Sequence, residues 1–334
     1  MSDEKTLIPL SEPLVKHIFT ADPSAHVYED KIYIYPSHDQ DSGKPEDDWG
    51  GHFFMEDYHV LSQETPDGPA TDHGIALHVN DVPWVASHFW APDAAQKNGK
   101  YYLYFPAKAD TGAFHIGVAV SDNPAGPFKA QPNYIKNSFS IDPAVLVDDD
   151  GKAYMYFGGL WGGQMQRWQT GKFITDVKTP YDLEPADNEP ALPSKVARLT
   201  DDMLEFDEMP KDLVILDEQG NPITAGDHDR RFFEASWMHK YNGKYYFSYS
   251  TGDSHFICYA IGDNPYGPFT YKGVVLNPVI GWTNHHSIVE FKGKWYLYYH
   301  DSSLSNGVTH LRCVKVAEIT YNADGTIVPV TAYK

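Results

Sequence analysis

Apolar and polar residues alternate in short bursts along this chain, and the same burst returns five times. A turn leads into a lysine, and aromatic and aliphatic residues then follow one another. The copies are Glu29-Asp30-Lys31-Ile32-Tyr33-Ile34-Tyr35, Asn98-Gly99-Lys100-Tyr101-Tyr102-Leu103-Tyr104 and Asp150-Gly151-Lys152-Ala153-Tyr154-Met155-Tyr156. Two more are Asn242-Gly243-Lys244-Tyr245-Tyr246-Phe247-Ser248 and Lys292-Gly293-Lys294-Trp295-Tyr296-Leu297-Tyr298. Asn-Gly and Asp-Gly between apolar runs favour the positive φ angles of a type I′ turn, so each copy reads as the second strand of a hairpin.

The strands expected before those turns are Asp22 to Tyr28, Ala91 to Lys97, Ile141 to Val147, Phe233 to Tyr241 and His285 to Phe291. A third element also repeats. Ser121-Asp122-Asn123-Pro124-Ala125-Gly126-Pro127-Phe128 matches Gly262-Asp263-Asn264-Pro265-Tyr266-Gly267-Pro268-Phe269, and the stretches before them, Ile116 to Val120 and Ile257 to Ile261, read as strands. A strand unit recurring five times, with almost no helical periodicity, predicts an all-β fold, a five-bladed β-propeller. The unequal intervals set it apart from regular repeats of the WD40 kind. No linker interrupts the pattern, which predicts one catalytic domain over residues 1–334. Two long insertions, Asp39 to His52 and Phe157 to Phe232, read as loops that wall a pocket.

Charge narrows the partners. Acidic residues outnumber basic ones by 46 to 26, giving a formal charge of −20. That field repels nucleic acid and anionic membrane and is indifferent to a neutral oligosaccharide. The start, Met1-Ser2-Asp3-Glu4-Lys5, has neither the basic nor the apolar stretch of a secretion signal, so a cytoplasmic location is expected. Cys258 and Cys313 lie in apolar strand-like stretches and read as free buried thiols.

The candidate chemistry sits at the starts of the first strands, which line the axis of a propeller. Those starts carry Asp22, Asp93, Asp142, Glu234 and His285. Counted back from the hairpin lysine, Asp22 and His285 lie nine residues away, and Asp142 and Glu234 ten. An Asp before Pro is by itself an ordinary turn starter. Glycoside hydrolysis requires two carboxyl groups, one protonated to donate to the leaving oxygen and one ionised, and a third close by can tune the acid. Three carboxylates at matching places in different blades meet that requirement.

These pieces resemble glycoside hydrolase family 43, which comprises β-xylosidases, α-L-arabinofuranosidases and arabinanases. The matching residues, in order, are Ala21-Asp22-Pro23, Trp90-Ala91-Pro92-Asp93, Ile141-Asp142-Pro143, Phe233-Glu234-Ala235, Asn284-His285-His286-Ser287 and Tyr321-Asn322-Ala323-Asp324-Gly325-Thr326. The resemblance implies an inverting pentosidase. Insertions that close the pocket to a blind end lead to the expectation of exo action, releasing xylose from β-1,4-linked xylo-oligosaccharides of hemicellulose with α-L-arabinofuranosidase side activity. The resemblance assigns Asp22 as general base, Glu234 as general acid and Asp142 as the residue that tunes the acid's pKa. It also implies a sugar-binding role for Arg312 and a calcium ion on the axis at His285, with no cofactor needed for the chemistry.

Trp90, Trp161, Trp237 and Trp282 are candidates for stacking on sugar faces, and Asp93 and His286 for further substrate contacts, although strand alternation turns His286 away from His285. His38, His52, His88 and His115 show no zinc-type spacing. Other readings are an arabinanase or arabinofuranosidase as the main activity, a fructan-cleaving propeller, whose motifs depart from those here at each acid, and a non-catalytic sugar-binding propeller, which would have no need of three convergent carboxylates.

Overall fold

The computed structural model describes residues 7–334. Its strands form five sheets. The first holds β1 (Phe19–Tyr28), β2 (Lys31–Asp39), β3 (Asp57–Gln63) and β4 (Thr71–His78), and the second β5 (Asp93–Lys97), β6 (Lys100–Lys108), β7 (Phe114–Ser121) and β8 (Lys129–Ala130). The third holds β9 (Ala144–Val147), β10 (Ala153–Phe157), β11 (Ser194–Arg198) and β12 (Lys211–Leu213). In the fourth, β13 (Ile215–Leu216) adds in parallel to the outer edge of β14 (Glu234–Tyr241), β15 (Lys244–Ser250), β16 (Ile257–Gly262) and β17 (Phe269–Leu276). The fifth comprises β18 (His286–Phe291), β19 (Lys294–Asp301) and β20 (Cys313–Ile319).

The first strand of each sheet touches the first strand of the next: β1 meets β5, β5 meets β9, β9 meets β14, β14 meets β18, and β18 returns to β1. That cycle makes the molecule a five-bladed β-propeller. The ring closes through the segment before β1, where Leu14 N–H donates to Val314 O and Thr20 N–H to Arg312 O, both at 2.9 Å. Val15 packs there with Ile34, Tyr298 and Val314, joining the first and last blades through a shared core.

The hairpin turns follow the sequence in four blades. Glu29-Asp30, Asn98-Gly99, Asn242-Gly243 and Lys292-Gly293 each place two residues at positive φ between paired strands. The third blade differs. Val147 pairs with Ala153, so five residues, Asp148 to Lys152, make the connection. Two inner strands start two or three residues later than expected, β5 at Asp93 and β9 at Ala144, while β14 and β18 start one residue later. Pro92 and Pro143 lack the N–H that a ladder requires, so the chain before them approaches the axis in irregular conformation. Cys258 and Cys313 are buried free thiols. No helix of the described residues is long and apolar enough to cross a membrane.

Candidate active site

Two of the carboxylates sit on bulges in inner strands. On β1, Ala21 pairs with Ser37 and pairing resumes only at Ser24 with Tyr35, so Asp22 and Pro23 face a single residue. On β14, Glu234 pairs with Ser250 and pairing resumes at Trp237 with Ser248, leaving Ala235 and Ser236 opposite one residue. Asp22 has φ 50°, Ala235 φ 62° and Asp142, just before β9, φ 56°. A bulge re-aims a side chain that a regular strand would leave in the sheet face, and left-handed backbone at non-glycine residues persists only where the surroundings hold it. The result is one pocket at one end of the axis, lined by Asp22, Asp142, Glu234, His285 and Arg312.

Asp22 is buried and ionised. One carboxylate oxygen, Oδ2, accepts from Ser37 Oγ at 2.7 Å, while Oδ1 accepts from Arg312 Nη1 at 3.0 Å. Its backbone N–H donates to His300 Nδ1 at 2.9 Å. Burial works to raise its pKa, but the Arg312 guanidinium, with His300, His285 and Ser37, outweighs it and brings the group down to about 2. His300 is itself pushed down to about 3 by burial and Arg312, so near neutral pH it is uncharged and the guanidinium is the main cause. Arg312 is in turn clamped by Asp39, which accepts from Nε at 2.8 Å and Nη2 at 2.7 Å. The expected sugar contact is therefore first a buried, bidentate ion pair, with the Nη1 edge at the pocket.

Glu234 has the opposite electrostatics. Burial, and then the negative charge of Asp22, push its carboxyl up to about 8. Asp142 is also raised, by burial first, then by Glu234 and Asp22. Its Oδ2 accepts the Ala235 N–H at 2.8 Å, which joins it directly to the strand carrying Glu234. The Asp142–Glu234 pair therefore retains a proton near neutrality, because two buried carboxylates beside a third cannot all ionise.

His285 lines the same pocket, its Nε2 3.7 Å from Asp142 Oδ2 and without a hydrogen-bond partner. The His286 N–H donates to Nδ1 at 2.9 Å when the ring proton is on Nε2, and Nδ1 can instead donate to the His286 carbonyl at 3.4 Å when the proton moves to Nδ1. With the proton on Nδ1, the orphaned Nε2 is free to ligate. One imidazole beside a carboxylate fits a cation whose shell is otherwise water, as Ca²⁺ requires when few protein oxygens are offered.

The insertions build the walls. The β2–β3 connection brings Asp47, Asp48, Gly50 and Phe53, and the β10–β11 connection brings Leu160, Trp161 and Gly162. They are tied together by the Tyr181 hydroxyl donating to Asp48. Trp161 stacks on Trp282 at 5.9 Å between centroids, and Trp90 completes the aromatic lining. The pocket spans about 620 Å³, part of it open solvent at the mouth.

Three residues expected at the substrate lie elsewhere. Asp93 is fully buried, with Oδ1 2.6 Å from His26 Nε2 and Oδ2 accepting Val145 N–H at 2.6 Å. Both oxygens are used to tie blades one, two and three. Trp237 lies three residues along β14 from Glu234, deeper on the axis, and donates from Nε1 to Ile288 O at 3.1 Å. His286 is buried between blades with Nε2 2.5 Å from Ser248 Oγ, as strand alternation requires. Reasoning from the sequence missed Asp39 and Phe53. Asp39 lies 273 residues from Arg312, and no local pattern announces the pair.

With this geometry in view, the chain matches the family described as Glycosyl hydrolases family 43 over residues 13–188 and 195–327. The chain belongs to family 43. It is 61% identical to xylosidase/arabinosidase 43A of Humicola insolens across 95% of this chain and 98% of that one. It is 58% identical to a xylosidase/arabinosidase of Bacteroides ovatus, across 95% and 96%. Among solved family 43 structures it resembles a β-xylosidase/α-arabinofuranosidase from a compost microbial metagenome, crystallised with xylotriose in a calcium-free form. There the TM-score is 0.96 and the identity 65%, covering 98% of this chain and 100% of the other. A Xanthomonas citri family enzyme complexed with xylose aligns with TM-score 0.92 at 55% identity, covering 98% and 94%.

Proposed function

We propose that this glycoside hydrolase is an exo-acting β-xylosidase, releasing xylose from the ends of β-1,4-linked xylo-oligosaccharides by inversion, with α-L-arabinofuranosidase activity in the same pocket. The observation that carries the reading is the divergence of two carboxyl groups in one cavity, Asp22 drawn down to about 2 and Glu234 pushed up to about 8. Groups driven apart in this way are assigned as base and acid. The relatives named for xylosidase and arabinosidase activity, and the neighbours holding xylotriose and xylose, support the choice of sugar.

In the proposed reaction Asp22 accepts a proton from a water that attacks the anomeric carbon. Glu234 gives its proton to the departing glycosidic oxygen from the opposite side, and the configuration inverts. Asp142 holds the Glu234 strand through the Ala235 N–H and keeps a proton available to the acid. Arg312 keeps Asp22 ionised, and Trp90, Trp161 and Trp282 shape the apolar walls. The reading of exo action rests on the two insertions, which wall the pocket and meet where the Tyr181 hydroxyl donates to Asp48. A calcium ion bound at His285 with water would add positive potential beside Asp142 and take no part in the proton transfers.

The test compares Glu234→Gln with the parent on xylobiose and on nitrophenyl β-xyloside. Loss of a general acid costs on the order of 10²–10⁴ in kcat on xylobiose. The aryl xyloside, whose leaving group needs no proton, should lose much less. Equal losses on the two substrates would overturn the assignment of Glu234 as acid. Measuring nitrophenyl β-xyloside, nitrophenyl α-arabinofuranoside and arabinan side by side orders the substrates, and dominant arabinan depolymerisation overturns exo-xylosidase action.

A further inference from the structure

Behind the base, blade one carries a second constellation that the proposed reaction does not use. His38 is the penultimate residue of β2, flanked by Ser37, which donates to Asp22, and by Asp39, which clamps Arg312. Strand alternation turns His38 to the other face. There it meets two residues of the neighbouring strand β3, Asp57 and His59. His38 Nδ1 is 2.6 Å from Asp57 Oδ1, His59 Nε2 is 3.8 Å from the same oxygen, and one ligand atom from each of the three side chains lies within 4.8 Å of the others.

The surroundings of His59 give this cluster a direction. Its Nδ1 lies 2.8 Å from Asp72 Oδ1, and that carboxylate also accepts the Gly74 N–H at 2.8 Å and contacts His17 Nε2 at 2.8 Å. A proton on Nδ1 donated to Asp72 leaves the lone pair of Nε2 facing the Asp57 carboxylate. Two acceptors then point at one another, an arrangement that a cation between them relieves. A carboxylate that orients a histidine through its far nitrogen is the usual support of a histidine ligand to a metal.

We propose that His38, Asp57 and His59 bind a divalent transition-metal ion of the zinc class, distinct from any ion on the propeller axis. Two nitrogens and one carboxylate oxygen, with solvent completing the shell, are donors suited to Zn²⁺ rather than to Ca²⁺. Ligand atoms ~2.1 Å from a tetrahedral ion stand about 3.4 Å apart. The His59–Asp57 separation is close to that, and the His38–Asp57 contact has to open by under about 1 Å. The four side chains keep 8–16% of their surface exposed, so the ion has an entry path. Sequence spacing hid the site because its ligands meet across the β2–β3 pairing instead of along one helix or turn.

The experiment uses the full chain stripped of metal by chelation. Zn²⁺ is titrated calorimetrically and Co²⁺ by its visible d–d absorption, in the parent, in His285→Gln, in Asp57→Asn, in His59→Gln and in Asp72→Asn. One equivalent should bind in the parent and in His285→Gln with a low-coordinate Co²⁺ spectrum. Binding should be lost in Asp57→Asn and His59→Gln and weaken about 10–100-fold in Asp72→Asn. Circular dichroism and metal-free hydrolysis of nitrophenyl β-xyloside should show that these three blade-one variants are folded. The proposal is overturned if Zn²⁺ binding disappears with His285→Gln, if folded Asp57→Asn and His59→Gln bind as the parent does, or if the parent binds no ion.

Discussion

At the scale of the residue, the site depends on opposing the cost of burial differently at two carboxyl groups. Asp22 and Glu234 are both desolvated, which favours the neutral acid. Only Asp22 touches a guanidinium, and that contact reverses the sign. The pH profile follows. As pH rises through about 8, Glu234 loses the proton it must donate, so kcat/KM on xylobiose should fall tenfold per unit above that point. On the acid side Asp22 stays ionised down to about 2, so the base sets no limb in the ordinary range. Replacing Arg312 by Met removes the contact that opposes burial. The pKa of Asp22 should then rise by about 1–3 units and an acid limb should enter the measured profile. An unchanged acid limb in a folded Arg312→Met protein would mean that something other than the guanidinium holds Asp22 ionised.

The same balance gives Glu234 a stability effect. A carboxyl with a raised folded-state pKa destabilises the fold above its unfolded value, increasingly up to the folded one. Glu234→Gln should therefore unfold at higher denaturant than the parent at pH 9, by about 1–2 kcal/mol, with the gain shrinking toward pH 4. Equilibrium urea unfolding at the two pH values reads this directly.

Among the elements, the inner strands position the chemistry and the insertions select what reaches it. The bulges at Asp22-Pro23 and Ala235-Ser236 turn carboxylates toward the axis, whereas Asp93, which starts a regular strand, points into the blade interface. The β2–β3 and β10–β11 connections meet over the mouth through Tyr181 and Asp48. Trp161 spans that contact and the Trp282 ring. Trp161→Ala should raise KM for xylobiose about five- to tenfold, the worth of roughly 1 kcal/mol of stacking, and leave kcat within a factor of two or so. A fall in kcat with KM unchanged would place Trp161 in the transition state and not at the wall.

Across the whole molecule, polar ties between blades take the place of a single continuous core. The hydrophobic residues divide into five clusters, mostly wedged between neighbouring sheets. Near the axis the blades are joined by His26–Asp93, by Val145 N–H to Asp93, by Ala25 N–H to Ser287 and by Trp237 to Ile288. Asp93→Ala leaves the buried Val145 N–H and the half-buried His26 ring without their acceptor and should cost about 3 kcal/mol in urea unfolding, with kcat on xylobiose preserved in the folded fraction. A collapse of kcat at unchanged stability would return Asp93 to the catalytic pocket.

The sequence by itself determined the blade count and the strand that carries each acid. Both are written in local chemistry: positive-φ turns, two-residue alternation, and prolines that end a ladder before the axis. It also placed Asp22, Asp142 and Glu234 at equivalent ends of different blades, where a closed ring brings them together. Only the tertiary structure decided which polar residues at those ends face the pocket. Asp93 follows its proline and stands in the β5 ladder, whereas Asp142 precedes its proline and lies before β9. One ties three blades and the other lies beside Glu234. The difference rests on backbone φ and on partners 52 and 93 residues away. The pairing of Arg312 with Asp39, and of His38 with His59, was likewise invisible until the sheets closed. Hydrogen bonds between strands from distant parts of the chain leave no periodic trace in a sequence, and in this protein they set the charge of the base.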